Sequence, residues 1–338
     1  MRQRIRFCAT PVGRVAYSVI GAGPYLICDT GWVSHLEQML EIESFRGFFA
    51  ALAERFSVVR FDKVGSGLSD RVGADVTFGA QVTTMVALAD HLEAQRFYLF
   101  GASQGGQVAA AVAARLPQRT AGLSVYGVCA RGADLAPEDV RVSIVALVRA
   151  NWGLGSHVIA RIFNPDPTPE EERVLTEFQR WASTSNAAAD LLEDYYQTDV
   201  SSLLPKIEAP ALVLHRENDK ATAFRLGREV ASLIPTAEFV PLHGNAHLFW
   251  MGDWQSLVAA MLEFLPGQPA EAPVVLSTRE AEVAALVAEG LTNQQIGERL
   301  FIAPRTAETH LENIRHKLGF RSRAQVAAWV SAQKMAKT

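Results

Sequence analysis

From Tyr17 to about Leu265 short apolar runs alternate with longer stretches whose apolar residues recur at helical spacing. This pattern predicts an α/β domain with a mostly parallel sheet. The predicted strands are Tyr25–Cys28, Val58–Phe61, Tyr98–Phe100, Leu123–Val125, Ala211–Leu214 and Glu238–Leu242. Between the fourth and fifth lies an insertion, about 130–210, that is helical in pattern and carries Trp152, Phe163, Phe178, Trp181, Tyr195 and Tyr196. Such aromatics either pack a helical subdomain or line a lid over a ligand pocket. Pro266-Gly-Gln-Pro-Ala-Glu-Ala-Pro273 holds three prolines and continues neither a helix nor a central strand, so it predicts a linker over 266–275. The expected domains are therefore 1–265 and 276–338.

The second of these reads as four helices. Ser277-Thr-Arg-Glu280 has the form of a capping box that launches a helix to about Glu289, which Gly290 ends. Thr292-Asn-Gln-Gln295 repeats the device for a helix whose Ile296 and Leu300 face the core at i, i+4. The short turn Phe301-Ile-Ala-Pro304 leads into a third helix, about Arg305–Leu318, with Pro304 suited to its first position. Ser322 caps a fourth, whose Val326, Trp329 and Val330 make an apolar face. Helix, short turn, helix is the arrangement whose second member enters the major groove of DNA.

Composition agrees with a folded chain: 49% of the 338 residues are hydrophobic and 20% charged, which excludes intrinsic disorder. No apolar run approaches the roughly 20 residues that span a bilayer, and the basic start breaks at Pro11 and Gly13 before an apolar signal core develops. A cytoplasmic protein with no membrane partner is expected. Cys8, Cys28 and Cys129 are widely spaced and read as buried small residues, with no metal site or cofactor expected. The net charge of −4 hides an asymmetry. Residues 276–338 carry nine Lys/Arg against six Asp/Glu, leaving 23 against 30 for the rest, so +3 stands beside −7. Only the second part suits a polyanion.

Gly101-Ala-Ser103-Gln-Gly105 follows a predicted strand and opens the Ala-rich helical stretch Gln104–Leu116. That is the context of a G-x-S-x-G nucleophile elbow, where a sharp turn thrusts a serine hydroxyl into the open. Such a serine needs an imidazole to take its proton and a carboxylate to orient the imidazole. Leu212-Val-Leu-His-Arg-Glu-Asn-Asp219 and Val240-Pro-Leu-His-Gly-Asn-Ala-His247 supply them past strand ends. His247, on a loop long enough to swing back over the sheet, competes with His243 as base, and Asp219 competes with Glu217 as acid. His215 and His35 read as structural. The G-x-G within Asp62–Asp70 lacks the third glycine and the helix of a dinucleotide fingerprint.

These segments, with Asp29-Thr-Gly31-Trp32 and Phe61-Asp62-Lys-Val-Gly65-Ser-Gly67-Leu-Ser69-Asp70, resemble the α/β-hydrolase superfamily across about residues 5–265. The resemblance implies an α/β-hydrolase fold with a helical lid, a catalytic set Ser103, Asp219 and His247, and an oxyanion hole from the backbone N–H groups of Trp32 and Gln104. It also implies that the glycine-rich 62–70 loop shapes the pocket floor. Where many members have a tight glycine-containing turn before the acid, this chain has Arg216-Glu-Asn-Asp-Lys220, which crowds charge around Asp219.

Leu276-Ser-Thr-Arg-Glu-Ala-Glu-Val283, Ala288-Glu-Gly-Leu-Thr-Asn293, His310-Leu-Glu-Asn-Ile314 and Lys317-Leu-Gly-Phe-Arg-Ser-Arg323 resemble the LuxR-type helix-turn-helix domain across 276–332. The resemblance implies a small all-α four-helix domain that binds double-stranded DNA, with Arg305–Leu318 as recognition helix. Its base-facing positions would be Glu308, Thr309 and Glu312, beside Thr306. Phosphate contacts would come from Arg305, Arg315, Lys317, Arg321 and Arg323. Glutamate can accept from cytosine N4, so the operator is expected to differ from those of relatives with lysine at position 308. Ala303 replaces the usual cap serine, a loss of about 0.5–2 kcal/mol of helix stability.

The expected protein is a homodimeric transcriptional regulator whose first domain binds, and turns over slowly, a small ester, lactone or amide. The alternatives are a serine hydrolase with an accessory DNA-binding tail, or cofactor-free C–C bond hydrolysis. Serine at the nucleophile position disfavours haloalkane dehalogenation.

Overall fold

The computed structural model describes residues 3–71, 73–265, 276–318, 320 and 322–335. The linker 266–275 and Arg321 lie outside the described residues. The chain divides into two compact units, Met1–Gln268 and Pro269–Thr338.

The first unit is built on one sheet of β1 (Ile5–Thr10), β2 (Gly13–Ile20), β3 (Tyr25–Asp29), β4 (Ser57–Phe61), β5 (Phe97–Ala102), β6 (Thr120–Tyr126), β7 (Ala211–Arg216) and β8 (Ala237–Leu242). Their order is β1-β2-β4-β3-β5-β6-β7-β8. The pairs β1/β2 and β2/β4 are antiparallel and all others parallel. All six predicted strands are present as β3 to β8. The hairpin β1–β2 adds two that the apolar pattern did not reveal, because the reading begins at Tyr17, midway along β2. In the edge strand β1 only Cys8 is fully buried, too sparse an apolar signal to stand out.

Alternate residues of the central strands enter different cores, as the period of two requires. Leu26, Cys28, Tyr98 and Phe100 belong to one cluster, while Ile27, Leu99, Val125 and Val213 belong to the other. With both faces covered, these strands read as continuous apolar runs rather than alternating ones. The first cluster is packed by α1 (Gln38–Glu41), α2 (Glu43–Leu52) and, late in the chain, Phe249. The second is packed by α3 (Phe78–His91) and α4 (Gln104–Arg115). Between β6 and β7 the insertion forms α5 (Glu138–Ala150), α6 (Trp152–Phe163), α7 (Pro169–Ala182) and α8 (Ser185–Gln197). Helices α9 (Phe224–Leu233) and α10 (Trp254–Phe264) complete the unit. All three cysteines are buried and free.

The second unit contains α11 (Thr278–Ala288), α12 (Asn293–Leu300), α13 (Pro304–Leu318) and α14 (Arg323–Met335). Both expected capping boxes form, Ser277 with Glu280 and Thr292 with Gln295. Phe301 ends α12 in the left-handed region, φ 55°. Pro304 is the first residue of α13, and Ala303, with no side chain to cap it, offers its carbonyl to the N–H groups of Thr306 and Ala307. Val283, Ile296, Ala307, Leu311, Ile314 and Val326 close the core, with Leu300 and Trp329 packed against it. No helix among the described residues is long and apolar enough to cross a membrane.

Phe249 joins α2 to the sheet: its ring centroid lies 4.7 Å from that of Phe48, 5.2 Å from Phe100 and 4.8 Å from Trp250. Phe249→Ala leaves an apolar void there. It is expected to cost about 3–5 kcal/mol of unfolding free energy, read as a lower urea midpoint.

Candidate functional site

The site begins where β5 stops and α4 starts. Ser103 takes φ 53°, ψ −125°, a conformation that costs a non-glycine residue about 1–3 kcal/mol. Its N–H donates to the Tyr126 carbonyl at 2.8 Å, and its carbonyl accepts from Gly106 N at 2.9 Å. The turn is so tight that a Cβ on Gly101 would lie 2.4 Å from the Gly105 carbonyl oxygen. One on Gly105 would lie 2.4 Å from Asp29 Oδ1. Ser103 stays partly exposed while its neighbours are buried.

His247 and Asp219 meet Ser103. The Asp219 carboxylate can only accept, so His247 Nδ1 carries the proton and donates to Asp219 Oδ2 at 2.7 Å. That leaves Nε2 bare, 2.9 Å from Ser103 Oγ, to accept from the hydroxyl. The other carboxylate oxygen accepts from Ala221 N at 2.9 Å and Thr222 N at 3.1 Å. Burial opposes ionisation of Asp219, but His247, His215 and the Thr222 N–H outweigh it and hold the carboxyl below its usual range. The competing pair is elsewhere: His243 is exposed and bonds Glu217 Oε2 at 3.0 Å, on the surface.

The expected crowding of charge around Asp219 is resolved by direction. Arg216 is fully buried and turns into the loop that carries His247, donating to the carbonyls of Ala246 at 2.7 Å, Leu248 at 3.2 Å and Met251. Tyr126 OH donates to the same Ala246 carbonyl at 2.9 Å. His247 N donates to the Phe163 carbonyl at 2.7 Å, and the Phe163 ring packs 5.2 Å from the imidazole. His215 has a structural setting, its Nε2 donating to Thr222 O at 2.8 Å beneath Asp219. His35 Nδ1 accepts from Gln38 N at 3.4 Å.

Among the described residues nothing accepts from the backbone N–H of Trp32 or Gln104. One buried cation ties their carriers together. Lys63 Nζ lies 3.2 Å from Asp29 Oδ1, 2.7 Å from Gln81 Oε1 and 3.3 Å from Gln104 Oε1. Asp29 Oδ1 also accepts from Gly31 N at 3.2 Å, and Gln104 Nε2 donates to Leu191 O in α8 at 3.1 Å. Burial raises Asp29 and lowers Lys63, each opposed by the other's charge. Asp62 Oδ2, in the glycine-rich loop, accepts from Leu36 N at 3.1 Å and Leu68 N at 2.9 Å.

Two buried residues around the site, Tyr195 and Lys63, escaped the sequence reading. Tyr195, on α8, turns its hydroxyl toward Ser103, Thr222 and Cys129, whose Sγ is 3.6 Å away. Burial pushes that phenol well above its usual range. In sequence Tyr195 was one bulky residue among several in the insertion, with nothing to mark its hydroxyl. Lys63 was legible only as a charge within a loop motif.

In the second unit Arg305, Thr306, Glu308, Thr309 and Glu312 share the exposed side of α13, opposite the buried Ala307, Leu311 and Ile314. Two expected phosphate contacts are engaged internally. Lys317 Nζ pairs with Glu280 Oε2 at 2.6 Å, and Arg323 donates to Asn293 Oδ1 at 2.8 Å and to the Leu291 carbonyl. Both clamp helices of their own unit. Arg315 is half-buried, with Nε unpartnered, and Arg321 lies outside the described residues.

Comparison with known proteins gives two family matches. Residues 29–261 match the family described as Alpha/beta hydrolase family, and residues 274–330 match Bacterial regulatory proteins, luxR family. Pyrrolizixenacetamide deacetylase of Xenorhabdus hominickii is 26% identical over 262 residues, covering 75% of this chain and 94% of that protein. A Mycobacterium bovis protein named as an HTH-type transcriptional regulator is 46% identical over 59 residues. That match takes 18% of this chain and spans only 7% of the regulator's length. Among solved structures, bromoperoxidase from Bacillus anthracis has a TM-score of 0.71 at 18% identity, over 78% of this chain and all (100%) of that one, a likeness of fold.

Burial lowers the His215 pKa, against the pull of Asp219. A histidine whose folded pKa is depressed binds its proton more readily when unfolded, so its stabilising effect is complete above the unfolded pKa of about 6.5 and declines as pH falls below it. Between about pH 7.5 and about pH 5.5 the unfolding free energy is expected to fall. The decline should be smaller in His215→Leu, measured by urea titration at each pH.

Proposed function

We propose, because the chain belongs to the alpha/beta hydrolase family and carries a LuxR-type helix-turn-helix domain in residues 274–330, that it is a transcriptional regulator controlled by a small organic ligand that its hydrolase-fold unit binds and hydrolyses. The observation that carries this reading is the relay from Asp219 through His247 to Ser103, with links of 2.7 Å and 2.9 Å. A scaffold that only held a ligand would have no need of an aligned hydroxyl, imidazole and carboxylate.

In this reading Ser103 Oγ attacks the carbonyl carbon of an ester, lactone or amide as its proton passes to His247 Nε2. The imidazolium is stabilised by Asp219. The N–H groups of Trp32 and Gln104 receive the oxyanion that forms. His247 then returns the proton to the departing alcohol or amine, leaving an acyl group on Ser103. Water, deprotonated by His247, releases the acid. The similarity to a protein named as a deacetylase supports acyl transfer of this kind.

The second unit would place the exposed side of α13 in the major groove of double-stranded DNA. Arg305, Arg315, Lys317, Arg321 and Arg323 are the candidate phosphate contacts, and Thr306, Glu308, Thr309 and Glu312 are the candidates nearest the bases. Two half-sites would call for a homodimer when bound, and action on the chromosome implies a cytoplasmic protein. Ligand and DNA would be linked by population shift, the ligand favouring one arrangement of the chain over another.

Two measurements test the halves separately. A fluorophosphonate probe is expected to label the wild-type chain and not Ser103→Ala; labelling independent of Ser103 would remove the hydrolase reading. In a gel-shift assay on the region upstream of its own gene, the chain is expected to bind with an affinity that falls as salt rises. Absence of binding at low salt would remove the regulator reading.

A further inference from the structure

Outside the triad, a groove of about 740 Å³ lies between α1 and α2, α7 and the 250–254 turn. That volume lies in the range of small-molecule sites. Its walls are apolar and aromatic, with Ile42, Val174 and Met251 beside the indoles of Trp181, Trp250 and Trp254. Trp181 is 54% exposed and has no ring partner among the described residues.

The charge around this groove is predominantly negative. Glu41, Glu43, Glu170, Glu171 and Glu177 line it, against the single cation Arg173. Arg173 is already satisfied, bound by Glu170 at 2.6 and 2.9 Å and by Glu177 at 2.8 Å. Glu41 and Glu43, both exposed, have no ion-pair partner among the described residues. Five carboxylates against one guanidinium leave −4 over a concave apolar surface, which focuses a negative potential. Indole faces attract cations by the same sign rule. A carboxylate or phosphate ligand would be repelled.

The groove shares a wall with a second cavity. Leu175, Phe178 and Trp250 line both it and a smaller cavity of about 30 Å³ bounded by Trp32 and Phe163. Trp32 carries one of the free N–H groups, and Phe163 packs on His247.

We propose that this groove binds organic cations: apolar or aromatic molecules bearing a quaternary or protonated amine, the amine held among the glutamates and indoles. The inference deepens the proposed function by naming its ligand class, and rests on that reading only for turnover. The cationic head sits among the glutamates and indoles and the apolar remainder packs on Leu175 and Phe178.

The test uses two isosteric esters, 4-(trimethylammonio)phenyl acetate and 4-tert-butylphenyl acetate, which differ in one charge. Each is titrated calorimetrically into the full-length Ser103→Ala chain, which cannot consume them through the proposed nucleophile. The cationic ester is expected to bind at least about tenfold more tightly. Added salt should shrink the preference, and adding Glu41→Gln with Glu43→Gln, or Trp181→Ala, should reduce it severalfold while leaving the thermal transition unchanged. Equal affinities, no binding of either ester, or a preference untouched by those substitutions would overturn the inference. Hydrolysis by the wild-type chain is scored separately. Preference without phenol release would retain the groove and remove the catalytic reading, and phenol release with equal affinities would do the reverse.

Discussion

The first unit is organised around one strained turn. Ser103 sits at φ 53° between a buried strand and a buried helix, and a conformation of that cost persists only when its surroundings leave no alternative. Gly101 and Gly105 remove the Cβ atoms that would collide with Gly105 and Asp29. The adjacent strand end accepts the Ser103 N–H at Tyr126. Parallel order then brings β7 beside β6 and β8 beside β7, so the loops bearing Asp219 and His247 emerge on the same sheet edge as Ser103. The relay follows from strand order, although its residues are far apart in the chain.

Two buried cations hold what the strand order cannot. Arg216 is committed to the carbonyls of the 246–251 loop, so the imidazole rests on a braced support. Lys63 joins Asp29, Gln81 and Gln104, reaching both segments whose N–H groups are free. Desolvating such charges is costly, and a hydrophobic replacement of equal shape is often no less stable. Their geometric effect is positional: each fixes a loop by several directed bonds, and apolar packing has no comparable directionality. Through Gln104 and Leu191 the Lys63 cluster also touches α8, the helix that brings Tyr195 to Ser103.

What the sequence made legible divides along the same line. Local signals were readable: the elbow glycines, both capping boxes, Pro304 at the start of α13, and the apolar strands β3 to β8 all announce themselves within a few residues. The choice of His247 over His243 was readable from loop length. Contacts that depend on the fold were not. Arg216 next to Asp219 looks in sequence like a charge crowding the acid, yet it points into another loop. Lys317 and Arg323 bond Glu280, Asn293 and Leu291 within their own unit, partners that their sequence neighbours do not reveal. A long cationic side chain reaches several ångströms from its backbone, so its sequence neighbours say little about its partner.

The charge partition gains meaning from the two units together. The −7 part of the chain carries an acidic, tryptophan-lined groove, and the +3 part carries the helix-turn-helix. Binding of a ligand in the first can change DNA affinity in the second only by the difference in its affinity for two states of the whole chain. A substrate that is consumed makes that difference transient, since the acid and alcohol it leaves interact with the groove differently from the intact ester. A regulator with a working relay would therefore report ligand supply rather than accumulated ligand, and the slower its turnover, the closer it would come to an ordinary receptor.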